Sequence, residues 1–172
     1  MKVTGHRLKE SIKFHQLLLN AAKEQFDAAI YVFEDECKES PLEIDDRIFN
    51  SERAIARLQT AQAWFNLHVQ VKTDDGEITL AEAIKVIGGA GRREARWRSS
   101  SVPKKDRYGY NDTVPTRTEG EVRAKRAISY EAALDKTTAS ARFASQLRAG
   151  IAEGNMEVRD VPDNLLRASD LV

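Results

Sequence analysis

Residues Leu8 to Phe33 read LKESIKFHQLLLNAAKEQFDAAIYVF, with apolar side chains at Leu8, Ile12, Leu19, Ala22, Phe26, Ala29 and Phe33. The steps between them are three or four once His15 takes the one remaining position of the series. That spacing lies near the 3.5-residue period that makes helices wind around one another rather than lie on a sheet. It draws a single stripe along a helix of about seven turns. A lone helix cannot bury such a stripe, so the rest of the chain has to supply partner helices.

The first partner follows at once. Helix one is predicted from near Thr4 to just before Ser40, and Ser40-Pro41-Leu42-Glu43 then reads as a helix start. Serine caps, proline occupies the first helical position, and glutamate reaches back from three residues on. Ile44, Ile48, Ile55, Leu58, Phe65 and Val69 repeat the stripe, with Ala54, Ala61 and His68 beside them. The short connection predicts an antiparallel helical hairpin over residues 4–72, about 40 Å long at a rise of about 1.5 Å per residue. Asp75-Gly76 marks a turn, and Glu77-Ile78 a short extended segment. Thr79-Leu80-Ala81-Glu82 opens a third helix over 80–98, carrying Leu80, Ile84 and Ile87. Gly88-Gly89-Ala90-Gly91 should break or kink that helix, or bring another helix very close. Residues 99–118 hold two prolines and no helical period and read as a long loop. Thr118-Glu119-Gly120-Glu121 starts the last helix, 119–153, with Val122, Ile128, Ala132, Ala139, Phe143, Leu147 and Ile151 near one face and Gly154-Asn155 as its stop. The expectation is an all-α, coiled-coil-like single domain over 1–154, built from a long hairpin and two further helices, with a tail at 155–172 that docks or frays.

The 27 basic and 27 acidic residues cancel, which gives no bulk attraction to nucleic acid or anionic membrane. The cancellation hides two poles. Glu34 to Glu52 carries eight acidic residues against Lys38 and Arg47, while Arg92 to Arg107 carries seven basic residues against Glu94 and Asp106. The two stripes also predict at least a dimer. Cys37 is the lone cysteine, which speaks for a reducing, cytoplasmic setting. No run near 18 apolar residues and no secretory leader is present, so no membrane span is expected.

With Asp75-Gly76, Leu80-Ala81-Glu82-Ala83 and Asp106-Arg107-Tyr108 in this order between helices, residues 7 to 150 resemble the septicolysin-like family of small bacterial and phage helical proteins. The resemblance implies the helical hairpin and transfers no catalytic residue. The family's name implies a cytolysin, yet the sequence holds neither an apolar hairpin nor an amphipathic cationic helix of the kind lysis uses.

The candidate binding residues are Gly88, Gly89, Gly91, Arg92, Arg93, Arg96, Trp97, Arg107, Tyr108 and Tyr110, with Lys104 and Lys105 nearby. Glycines let a ligand approach backbone, arginines fork onto phosphate, and aromatic rings stack on bases. The segment is neither a Walker loop nor a dinucleotide fingerprint. The competing expectation is a kinked helix whose arginines pair with a neighbouring subunit's acidic hairpin end. His6, His15 and His68 lack the paired Glu-x-x-His spacing of a metal site, and His15 reads as a polar seam residue that sets register. The carboxylates Asp35-Glu36 and Asp45-Asp46 read as a solvated tip, and Cys37 among carboxylates is a poor nucleophile. No enzyme and no cofactor is expected. The sequence points to an oligomeric protein that sequesters an anionic, nucleotide-like ligand, nucleic acid being less favoured. The alternative is a structural or protein-interaction component, of a phage particle or against a host protein.

Overall fold

The computed structural model describes residues 1–31, 39–74, 76–103 and 125–172, and the backbone alone at 116–117 and 122–123. The fold is mostly helical, as expected, with short strands added. In order the elements are β1 (Lys2–Thr4), α1 (Gly5–Ala29), α2 (Pro41–His68), β2 (Gln70–Thr73), β3 (Gly76–Thr79), α3 (Leu80–Ser101), β4 (Thr116–Arg117), β5 (Val122–Arg123), α4 (Tyr130–Met156) and β6 (Val158–Asp160). The strands pair as β1–β6, β2–β3 and β4–β5. The chain divides into two compact units, one of residues 1–71, 78–81 and 151–172, the other of 72–77 and 82–150.

In the first unit the Thr4 hydroxyl accepts from the Arg7 amide at 3.1 Å and starts α1. Leu8, Ala22 and Ala29 are buried and Ile12, His15, Leu19 and Phe26 half-buried, so every described member of the stripe turns inward. The helix stops at Ala29, short of the expected end. Ile30-Tyr31-Val32-Phe33 is a run of β-branched and aromatic residues of poor helix propensity, and Tyr31 is 85% exposed. Phe33, the Glu34–Glu36 cluster and Cys37 lie outside the described residues.

Ser40 caps α2 as read, its hydroxyl accepting from the Leu42 amide at 3.3 Å with Pro41 at the first position. The two helices run antiparallel. Ala22, Ala29 and Ile44 form a core with Phe26 and Ile48 near one end. Near the other, a Cβ on Gly5 would fall 2.7 Å from both the Phe65 ring and Asn155 Oδ1. The Arg47–Gln25 hydrogen bond, 3.1 Å, and the Lys23–Glu52 ion pair, 3.3 Å, lie along the same seam.

α2 ends at His68 rather than Lys72. Val69 and Val71 are buried while Gln70 and Lys72 face out, a period of two that belongs to a strand. Gly76 has φ of +128°, which requires glycine at this turn. At the start of α3 the Leu80 amide donates to the Val69 carbonyl at 2.8 Å. Gly154, expected as a helix stop, lies inside α4. A Cβ there would meet Val69 Cγ1 at 3.2 Å and Leu80 Cδ1 at 3.5 Å, so the residue serves close packing instead. The tail docks. β6 pairs antiparallel with β1, Val3 opposite Arg159, and Val161, Leu166 and Asp170 are buried.

In the second unit α3 continues unbroken through Gly88 to Gly91 and on to Ser101. This corrects the expected break. It also corrects the expected close contact, because Cβ atoms built on Gly89 and Gly91 meet nothing within 4 Å. The inward positions Ala83, Ile87, Ala90, Glu94 and Trp97 hold a three-four rhythm that glycine does not interrupt. Ile84, expected inside, is exposed.

The last helix starts at Tyr130, eleven residues later than expected from 119, and Val122 lies in β5. The Thr118–Glu121 box lies outside the described residues, and the cap is Ser129, whose hydroxyl accepts from the Ala132 amide at 3.0 Å. Its inward line is Ala133, Thr137, Ser140, Ala144 and Leu147. Thr137 satisfies its buried hydroxyl on the Ala133 carbonyl at 2.9 Å. Of the expected face, Leu147 is buried and Ala139 exposed.

Candidate functional site

The Gly/Arg segment spreads around α3 rather than converging on one cavity. Arg92, Arg93 and Arg96 are exposed, whereas Trp97 is half-buried on the inward line. Arg92 and Arg96 share a face at i, i+4, and the Arg92 guanidinium lies beside Gly88, 3.6 Å from where its Cβ would be. Arg93 reaches a small cavity of about 110 Å³ between α3 and α4, opposite Lys136 and Phe143. Arg98 pairs with Glu94. Lys104, Lys105, Arg107, Tyr108 and Tyr110 lie outside the described residues.

A different set of arginines converges on a groove in the first unit. His15, Leu18, Ala22 and Gln25 recur at three or four residues along α1, and Arg47, Asn50, Ser51, Ala54 and Arg57 along α2, so each helix presents one flank. Arg53 joins them at the rim. The docked tail supplies the third wall with Arg167, Ser169 and Asp170. The enclosed volume is about 540 Å³, within the range of about 300–1,000 Å³ common for small-molecule sites. Its floor is apolar, with Ala22 and Ala54 buried and Leu18 partly exposed.

The four cations differ in what holds them. Arg57 forks onto Asp170, Nε to Oδ2 at 2.8 Å and Nη2 to Oδ1 at 2.7 Å. Asp170 is 3% exposed, and the Arg57 hydrogen bonds hold its carboxyl below the ordinary range against the opposing effect of burial. The same bonds push the Arg57 guanidinium upward. His15 Nε2 lies 3.1 Å from the Asp170 carbonyl oxygen, which only accepts, so that nitrogen carries a proton. Arg47 is held by Glu39 at 2.6 Å and by Gln25. Arg53 rests 5.5 Å from the centre of the Phe49 ring, and neither it nor Arg167 makes an ion pair among the described residues.

The groove thus offers two uncommitted guanidinium groups, hydroxyl and amide partners from Ser51, Asn50 and Ser169, and an apolar floor. Such a set has the chemistry that suits an anion with an apolar body. Its one histidine donates through Nε2 to a backbone carbonyl, which leaves Nδ1 as an acceptor. Arg53 and Arg57, at i, i+4 on α2, are a signal that sequence reading passed over. Arg167 and Asp170 could not be placed, because 113 residues separate Arg57 from Asp170.

Among the described residues no cluster of three or more histidine, cysteine, aspartate or glutamate side chains is placed to hold a metal. Among them, too, no helix is long and apolar enough to cross a membrane. Comparison of the chain with known protein families, curated proteins and solved structures returned no match.

Proposed function

We propose that this protein is a non-enzymatic binder that sequesters a small organic anion, nucleotide-like in combining phosphate or carboxylate charge with an apolar ring, in the groove between α1, α2 and the tail. The observation that carries the reading is the convergence of Arg47, Arg53, Arg57 and Arg167 on one cavity. The Gly/Arg face of α3, the stronger candidate in the sequence, offers exposed charge without such a cavity. The cytoplasm suits this role, as it keeps the lone Cys37 reduced.

Calorimetry of the purified protein against linear and cyclic nucleotides is the test. Arg53→Ala with Arg167→Ala removes the two uncommitted cations and leaves the Arg57–Asp170 pair in place. Each charge-assisted contact contributes roughly 1.5–3 kcal/mol, so the double variant is expected to bind about a hundredfold or more weakly with an unchanged melting temperature. If the unmodified protein shows neither heat nor thermal shift with any member of the panel, the reading fails. A protein-interaction role without a small ligand is then favoured by the exposed apolar side chains of α1 and α2, Leu17 at 69%, Leu42 at 79% and Phe49 at 56%.

A further inference from the structure

The outer face of α3 carries charge without a counter-ion among the described residues, and a glycine without a packing reason. Lys85, Gly89, Arg92 and Arg96 lie on one line at helical spacing, with Arg93 beside it, and all are exposed. Neither Lys85, Arg92, Arg93 nor Arg96 makes an ion pair among the described residues. Glycine within a helix is explained by a left-handed backbone or by close packing. Gly76 is the described glycine with positive φ, and Gly89 and Gly91 have open space where a Cβ would be. Nothing in their own unit uses them, although glycine is a poor helix former and alanine would fit. Gly89 leaves a low point on the outer line between Lys85 and Arg92, whereas Gly91, two residues on, lies half-buried on nearly the opposite side of the helix.

The opposite surface exists on the same chain. At one end of the α1–α2 hairpin, Glu24 and Asp27 near the close of α1 and Glu43, Asp45 and Asp46 at the start of α2 are exposed. None of these five makes an ion pair among the described residues. The charge separates by unit. The second unit holds sixteen basic against eleven acidic residues, a net of +5, and the first the reverse, eleven against sixteen. We propose that the Gly/Arg face of α3 is a docking surface for the acidic hairpin end of a second copy of this chain. Copies with no net charge repel one another little, while their unlike poles attract. Gly89 lets the incoming hairpin end approach the α3 backbone, where Lys85 and Arg92 flank it and Arg96 lies one turn further on. The inference is independent of the groove.

Sedimentation of the full chain tests it. Self-association is expected at about 0.1 M salt and its loss at about 1 M, as the screening length falls from about 10 Å to about 3 Å. Arg92→Glu with Arg96→Glu, and separately Asp45→Lys with Asp46→Lys, should each be monomeric, and their equimolar mixture should associate again because each now meets its complement. Gly89→Ala should raise the melting temperature while weakening association. A chain that is monomeric at low salt, an oligomer indifferent to salt, or a mixture that stays monomeric overturns the proposal. Binding of a labelled oligonucleotide that Arg92→Glu with Arg96→Glu abolishes, in a chain that stays monomeric, overturns it in favour of a polyanion on the same face.

Discussion

Asp170 shows how much one side chain can hold in place. Its carboxylate takes both arms of Arg57 while its backbone carbonyl takes His15, and around it the Val172 amide donates to the Ser11 hydroxyl at 3.2 Å. Because the folded carboxyl titrates below the ordinary value of about 3.9, this pair stabilises the tail fully above that value. The stabilisation is lost as pH falls through the lowered value. Hydrogen exchange across 161–172 should therefore speed up in acid before exchange in the α1–α2 core does, and Asp170→Asn should show fast tail exchange already at neutral pH. Loss of a charged hydrogen-bond pair of this kind costs roughly 1.5–3 kcal/mol. Tail exchange that is indifferent to both acid and Asp170→Asn would show that β6 and Leu166 hold the tail alone. Gly5 gives a second prediction at this scale. Its absent Cβ would lie 2.7 Å from the Phe65 ring, so Gly5→Ala must displace a buried aromatic and should lower the unfolding midpoint by the equivalent of roughly 1–3 kcal/mol. An unchanged midpoint would mean that the hairpin end is free to shift.

The elements differ in how far the sequence announces them. α1 and the start of α2 are legible because their seam residues are large and apolar and because Ser40-Pro41 is an unambiguous start. Phe26→Asp would place a charge in that seam, beside Ala22, Ala29 and Ile44, at a cost of several kcal/mol if it finds no partner. Circular dichroism should record a large fall in thermal stability, and an undiminished melting temperature would show that the open end of the hairpin contributes little. α4 is less legible because Ala133, Thr137, Ser140 and Ala144 are small or polar, and a pattern search finds the larger Phe143 first. Apart from β3, expected at Glu77-Ile78, the strands escape notice for another reason: segments of two to four residues are too short to show a period. α3 misleads in the opposite direction. Its glycines predict a break, but eight helical residues before them and ten after outweigh three costs of roughly 1 kcal/mol apiece.

For the whole molecule, the sequence shows its two charge poles but not its groove. A charge run is local and can be counted, whereas the groove needs α1, α2 and a tail more than a hundred residues on to arrive together. Docking of the tail turns a helical hairpin with an open flank into a walled cavity, and for this reason Arg57 and Arg167 carry meaning in the fold that neither has alone.

The pairing of β1 with β6 bears on the order in which the molecule is made. Val3 faces Arg159 across that ladder, and the third wall of the groove ends at Asp170. During synthesis the chain emerges from its start, at about 5–20 residues per second, so the α1–α2 hairpin is available to fold long before its last partner strand exists. The groove is therefore a later product than the hairpin, closed only once Arg167 to Asp170 have emerged. Until then a nascent chain shows α1 and α2 with an uncovered edge.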